Sequence, residues 1–96
     1  MGIEEILIEK KDRILALASA HGAYNVRVFG SVANGTADES SDVDFLVELE
    51  EGRSLFDVGG LLMGLQELLH RRVDVVTEKG LHWYIRDKIL REAEPL

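Results

Sequence analysis

From Ile3 to Ala20 the apolar residues Ile3, Ile6, Leu7, Ile14, Leu17 and Ala18 recur at helical spacing, and Gly22 follows as a stop. The period then changes. Tyr24, Val26 and Val28 alternate with Asn25, Arg27 and Phe29, which predicts a strand that ends at Gly30. Ser31 to Gly35 predicts a short helix, and Thr36 to Ser41 a polar loop. Asp42 to Leu49 reads as a second strand, with Val43, Phe45, Val47 and Leu49 on one face and Asp42, Asp44 and Leu46 on the other.

Ser54-Leu55-Phe56-Asp57 has the spacing of a capping box and opens a third helix that runs to about His70. Gly59, Gly60 and Gly64 each cost that helix about 1 kcal/mol against Ala, so packing must compensate, and they also permit close helix contact. Val73 to Thr77 predicts a third strand with Asp74 and Val76 on one face, and Leu81 to about Ala93 a last helix closed by Pro95. The crossover from the second strand to the third through a helix calls for parallel neighbours. The expected fold is α/β (α+β): one domain, residues 1–96, with a small three-stranded mixed sheet and helices against one face, in the order α-β-α-β-α-β-α.

Composition narrows the function. The chain has 96 residues, 46% hydrophobic and 30% charged, which excludes disorder. Its net charge of -7 removes the phosphate-backbone attraction on which nucleic-acid binding depends. The absence of cysteine removes disulfides and thiolate metal sites. His21, His70 and His82 have no partner at metal-ligand spacing. The start lacks the layout of a signal peptide and no apolar run reaches membrane-spanning length, so the expectation is a cytoplasmic protein with no membrane and no direct nucleic-acid partner.

Gly30-Ser31, ten intervening residues, then Asp42-Val43-Asp44 is the stretch that carries chemistry. Glycine lets backbone amides close on a phosphate, and the serine hydroxyl adds a donor. Asp42 and Asp44 leave one face of a strand, and a parallel neighbour can set Asp74 beside them. An acid inside the apolar run Arg72-Val73-Asp74-Val75-Val76-Thr77 needs a reason, and a hard divalent cation supplies one. Two ions would clamp the attacking and leaving oxygens of an in-line displacement. At about 5 Å and an effective dielectric near 20, each ionised pair repels by roughly 3 kcal/mol, so one aspartate should have a raised pKa.

Gly-Ser-x10-Asp-x-Asp followed by an isolated strand Asp resembles the nucleotidyltransferase superfamily with a DNA polymerase β-like palm. The resemblance is closest to its minimal nucleotidyltransferase family, the antitoxin half of HEPN/MNT pairs, and covers nearly all of the chain. It implies that Asp42 and Asp44 bind two Mg2+ ions and that Asp74 binds the catalytic one. It also implies ATP as the AMP donor at Gly30 and Ser31, and a HEPN-type ribonuclease toxin as the partner, modified at a tyrosine hydroxyl and thereby silenced. Asp74 is also the candidate base. The family often has Arg where this chain has Asn34, and Arg27, Arg53 and Lys79 are the cations that could replace it.

A non-catalytic antitoxin that blocks its toxin by covering it, and a small-molecule adenylyltransferase, are the alternative functions. Trp83 and Leu90 lie off the stripe formed by Leu81, Ile85 and Ile89, and the third helix has more apolar residues than one face can bury. Both helices therefore suggest a homo-oligomeric or hetero-oligomeric interface, with burial of Trp83 in the core as the competing expectation.

Overall fold

The computed structural model describes residues 2–38 and 40–96. The elements follow in the order α1 (Ile3–Ala20), β1 (Ala23–Phe29), α2 (Ser31–Asn34), β2 (Val43–Leu49), α3 (Leu55–Leu69) and β3 (Val73–Thr77). A 3-10 turn (Glu78–Gly80), α4 (Trp83–Glu92) and β4 (Glu94–Pro95) complete the chain. The sheet order is β3-β2-β1-β4, with β2 parallel to β3 and β1 antiparallel to both β2 and β4. The mixed sheet expected from sequence is present, with four strands in place of three. The extra one is a two-residue edge in which Glu94 and Pro95 pair with Val28 and Arg27. An edge tolerates proline, which has no N–H to give to a ladder.

The core lies between α1, α3 and one face of the sheet. Ile14, Val43, Phe45, Val47, Leu61 and Leu65 are almost wholly removed from solvent, each contributing about 1.5–3 kcal/mol of burial. The helices approach closely where α3 has glycine: a Cβ on Gly64 would lie 2.8 Å from Leu17 Cδ2, and one on Gly60 2.6 Å from His21 Cε1. The capping box forms as expected. Ser54 Oγ accepts from the Phe56 N–H at 3.2 Å and the Asp57 carboxylate accepts from the Ser54 N–H at 3.1 Å.

The alternation in β1 breaks at Asn25, which has φ +51. The pairing moves from Tyr24↔Glu48 to Arg27↔Leu46, so one extra residue is inserted into β1. Tyr24 is thereby turned away from the side of Val26 and Val28 and is half exposed, while Ala23 takes the buried position.

On the sheet face opposite the core helices, Leu46 is also fully buried. Its cross-strand neighbours are Arg27 and Val76, and Arg27 Nη2 meets Glu78 Oε2 at 2.8 Å. Glu78 also receives Arg86 of α4, at its carbonyl (2.6 Å) and at its carboxylate (3.3 Å). This network ties α4 to that face, although α4 buries none of its own residues. Trp83 is 83% exposed, so the core position considered for it from sequence is not the one it takes. Among the described residues no helix is long and apolar enough to cross a membrane.

Candidate functional site

The parallel register of β2 and β3 aligns Val43 with Val73 and Asp44 with Asp74. Because Val43, Phe45, Val73 and Val75 face the core, strand alternation sends both aspartates to the other face. Neighbouring strands lie about 4.8 Å apart, so the two carboxylates arise side by side. On the other flank, Phe29 is the antiparallel partner of Asp44, and Gly30 follows it immediately. A Cβ at Gly30 would lie 2.6 Å from Asp44 Oδ2. Glycine lets that carboxylate keep its place, and the glycine backbone, at φ 71 and ψ -144, is in a region other residues avoid.

Gly30 opens the short helix α2 and Gly35, with φ 73 and ψ 15, closes it. The Asn34 N–H donates to the Gly30 carbonyl at 3.0 Å, and the Thr36 N–H to the Ser31 carbonyl at 2.9 Å. Such a turn leaves its first amides without carbonyl partners of their own. The following loop is held by Asp38, whose carboxylate accepts from the Ser40 N–H (2.9 Å), the Ser40 hydroxyl (2.8 Å) and the Ser41 hydroxyl (3.1 Å). These bonds lower the Asp38 pKa. Arg71 donates to the Asp38 carbonyl at 3.2 Å, fastening the loop to the start of β3.

Asp44 has a raised pKa, caused first by burial of its carboxylate and then by the charges of Asp74 and Asp42. Repulsion, the cause expected from sequence, thus ranks second to burial. The structure adds that the Gly30 turn and the neighbouring strands desolvate the central acid. Asp42 stands one residue before β2, and its Oδ1 is 3.1 Å from Arg72 Nε. The structure thus brings Asp44, Asp74 and Gly30 together, with Ser31 adjacent in the chain, while Asp42 is close enough to act on Asp44 yet is turned toward Arg72. Among the described residues no three acidic or imidazole side chains already surround a common point. The donor set nevertheless fits magnesium: it is entirely carboxylate oxygen, negative, and open for phosphate and water to complete an octahedron.

The cations named from sequence are placed elsewhere. Arg27 is committed to Glu78, and Arg53 to Glu50 and Asp57. Lys79 lines a concavity of about 510 Å³ with Tyr24, Glu48, Arg53 and Thr77, at the opposite end of the strands from the acids. Arg72, which the sequence reading did not single out, is the positive side chain found against the acids. Its position two residues before Asp74 is a same-face signal that was available in the sequence.

A turn of glycine and serine beside paired strand carboxylates is the arrangement of a polymerase β-like nucleotidyltransferase palm, and the comparisons agree. Residues 8–96 match the nucleotidyltransferase domain family. A protein of Methanocaldococcus jannaschii, named as a candidate protein adenylyltransferase, is 41% identical over 93 residues, covering 97% of this chain and 96% of the relative. The protein adenylyltransferase MntA of Thermococcus cleftensis is 41% identical over 91 residues, covering 95% of this chain and 89% of that protein.

A solved structure described as a candidate minimal nucleotidyltransferase superposes with a TM-score of 0.88 at 50% identity, covering 100% of this chain and 97% of that one. A toxin-antitoxin structure with AMP-PNP has the same fold, with a TM-score of 0.76 at 20% identity over 88% of this chain and 70% of that one. The chain belongs to the nucleotidyltransferase domain family and is a nucleotidyltransferase.

Proposed function

We propose that this chain moves AMP from ATP to a hydroxyl group of a protein partner, with Asp42, Asp44 and Asp74 holding Mg2+ and with Gly30 and Ser31 receiving the phosphates. The observation that carries this reading is the alignment of Asp44 with Asp74 across a parallel pair, with Gly30 pressed against Asp44. Bound magnesium would supply charge neutralisation at the attacking and leaving oxygens. The acceptor oxygen attacks the α-phosphorus, the bond from that phosphorus to the bridging oxygen breaks, and pyrophosphate leaves with the electron pair. Asp74 takes the hydroxyl proton. Asp44 works from a partly desolvated position, which strengthens its hold on a cation and disfavours its charge in the cation's absence.

The partner we propose is a HEPN-type toxin that modification silences, which makes this chain an antitoxin acting in the cytoplasm. Support comes from the relative named protein adenylyltransferase MntA and from the apolar side chains that the fold leaves outside: Leu55 and Phe56 at the start of α3, Trp83 and Tyr84 at the start of α4. The same side chains favour, as a second reading, an antitoxin that neutralises by docking alone.

The test is to incubate the chain with α-labelled ATP, magnesium and a purified HEPN-type toxin. Label on the partner, absent with Asp42→Asn and Asp44→Asn although the complex still forms, supports transfer. Neutralisation that survives both substitutions supports docking alone. An unlabelled partner with wild type refutes the transfer reading.

A further inference from the structure

The site as described gathers negative charge on both sides. Three carboxylates stand at one end of the strands, and the nucleotide proposed to meet them carries a triphosphate. A cation from the chain would add to the metal's charge there, and other cations of the strands and loops are already committed. Arg27 is bound to Glu78 and Arg71 to the Asp38 carbonyl, while Arg53 is held by Glu50 and Asp57 at the other end of the strands.

Arg72 differs in three ways. Its backbone is fixed, because its carbonyl accepts the Val43 N–H at 3.0 Å, so the side chain starts level with the acids. Strand alternation puts it on the same face as Asp74. Its side chain is 81% exposed, and its contact with Asp42 at 3.1 Å is an ion pair in solvent. Such a pair is weak and easily exchanged.

We infer that Arg72 is the phosphate-binding cation of this site: it holds Asp42 in the resting chain and turns to the β- and γ-phosphates of the nucleotide when Asp42 turns to metal. The exchange keeps charges matched in both states. At rest the guanidinium offsets part of the repulsion among the three acids. In the loaded site the same group pairs with phosphate oxygens, where a planar fork can bond two at once, and it remains with the pyrophosphate as the α-phosphorus bond breaks. Arg72 therefore competes with the metal for Asp42 and cooperates with the nucleotide. This inference rests on the site reading proposed above.

That double role gives effects of opposite sign, which loss of a merely structural side chain would not produce. Calorimetric titration with manganese alone, and then with α,β-methylene ATP in the presence of manganese, reads both. In Arg72→Ala, manganese alone should bind about 2- to 5-fold more tightly, because an exposed competitor is gone. The nucleotide analogue should bind about 10- to 100-fold more weakly, the usual range for losing a charge-assisted contact. Arg72→Lys should recover part of the analogue affinity.

Arg72→Gln serves as a second variant, and all three should still melt cooperatively within a few degrees of wild type, because the side chain is exposed and the pair with Asp42 that they lose or alter is weak. Wild-type analogue binding that is lost in Asp44→Asn but unchanged in Arg72→Ala would overturn the role of Arg72 and leave the acid site standing. Absence of manganese and analogue binding by wild type would remove both.

Discussion

Gly30→Ala separates what the fold needs from what the chemistry needs at one position. The backbone there has φ 71 and ψ -144, a region in which a residue with a Cβ is strained by about 1–3 kcal/mol. The new methyl would also lie 2.6 Å from Asp44 Oδ2. That oxygen is the free end of a side chain, so the clash is relieved by turning the carboxylate, and its cost falls on the site more than on the fold. Gly35→Ala is the control: Gly35 has φ 73 and ψ 15, with nothing within 4 Å of its would-be Cβ.

Gly35→Ala should cost about 1 kcal/mol of left-handed strain and leave the acids untouched. In a domain of this size each kcal/mol lowers the melting temperature by about 4–8 °C, so both variants melt early, Gly30→Ala by at least as much. AMP-transfer rates measured well below both midpoints should differ. A displacement on the order of 1 Å costs about 100-fold in rate, and that loss is expected for Gly30→Ala, with Gly35→Ala within a few-fold of wild type. Equal losses in the two variants, or an unimpaired Gly30→Ala, would refute the proposed contact between the turn and Asp44.

Three further substitutions test other links. Asp44→Asn should raise the melting temperature of the metal-free chain near neutral pH. The Asp44 pKa is raised above the ordinary 3.8, so the native state binds the extra proton and stability falls as pH rises from 3.8 through the raised value; the gain in Asp44→Asn should therefore shrink as pH drops toward 3.8, and a pH-independent gain would contradict this. Ser54→Ala removes the α3 cap and should cost about 1 kcal/mol in urea unfolding, whereas no change would show the capping bond to be inert. Asn25→Gly should be close to neutral and Asn25→Val should lose about 1–2 kcal/mol, because a β-branched residue does not accept φ +51; equal stabilities would argue against the bulge.

Periodicity accounts for how much of this was readable beforehand. The bounds of α1 and β3 follow from regular apolar spacing, and the capping box from side chains that interact locally. The Asp44–Asp74 pairing followed because a helical crossover between strands forces them parallel. The features that were missed depend on partners distant in sequence. The β1 bulge turns Tyr24 outward because Asn25 takes a left-handed conformation, a choice the alternating pattern does not encode. The edge strand at Glu94 and Pro95 is too short to have a period.

Leu46 is buried on the acid face by cross-strand neighbours that include Arg27, which is linked through Glu78 to Arg86. That arrangement joins four elements: β2, β1, the 3-10 turn and α4. The Arg72–Asp42 contact arises only once the β2 and β3 register is set, which is why Arg27, Arg53 and Lys79 looked equally eligible from sequence.

The most direct test of the shared acid site is the melting temperature of wild type, Asp44→Asn and Asp74→Asn with and without magnesium and ATP. Ligand at about 100 times its dissociation constant stabilises a fold by about 2.7 kcal/mol, so wild type should melt clearly higher when both are present, and neither variant should respond. A full response in Asp74→Asn, or none in wild type, would contradict the account.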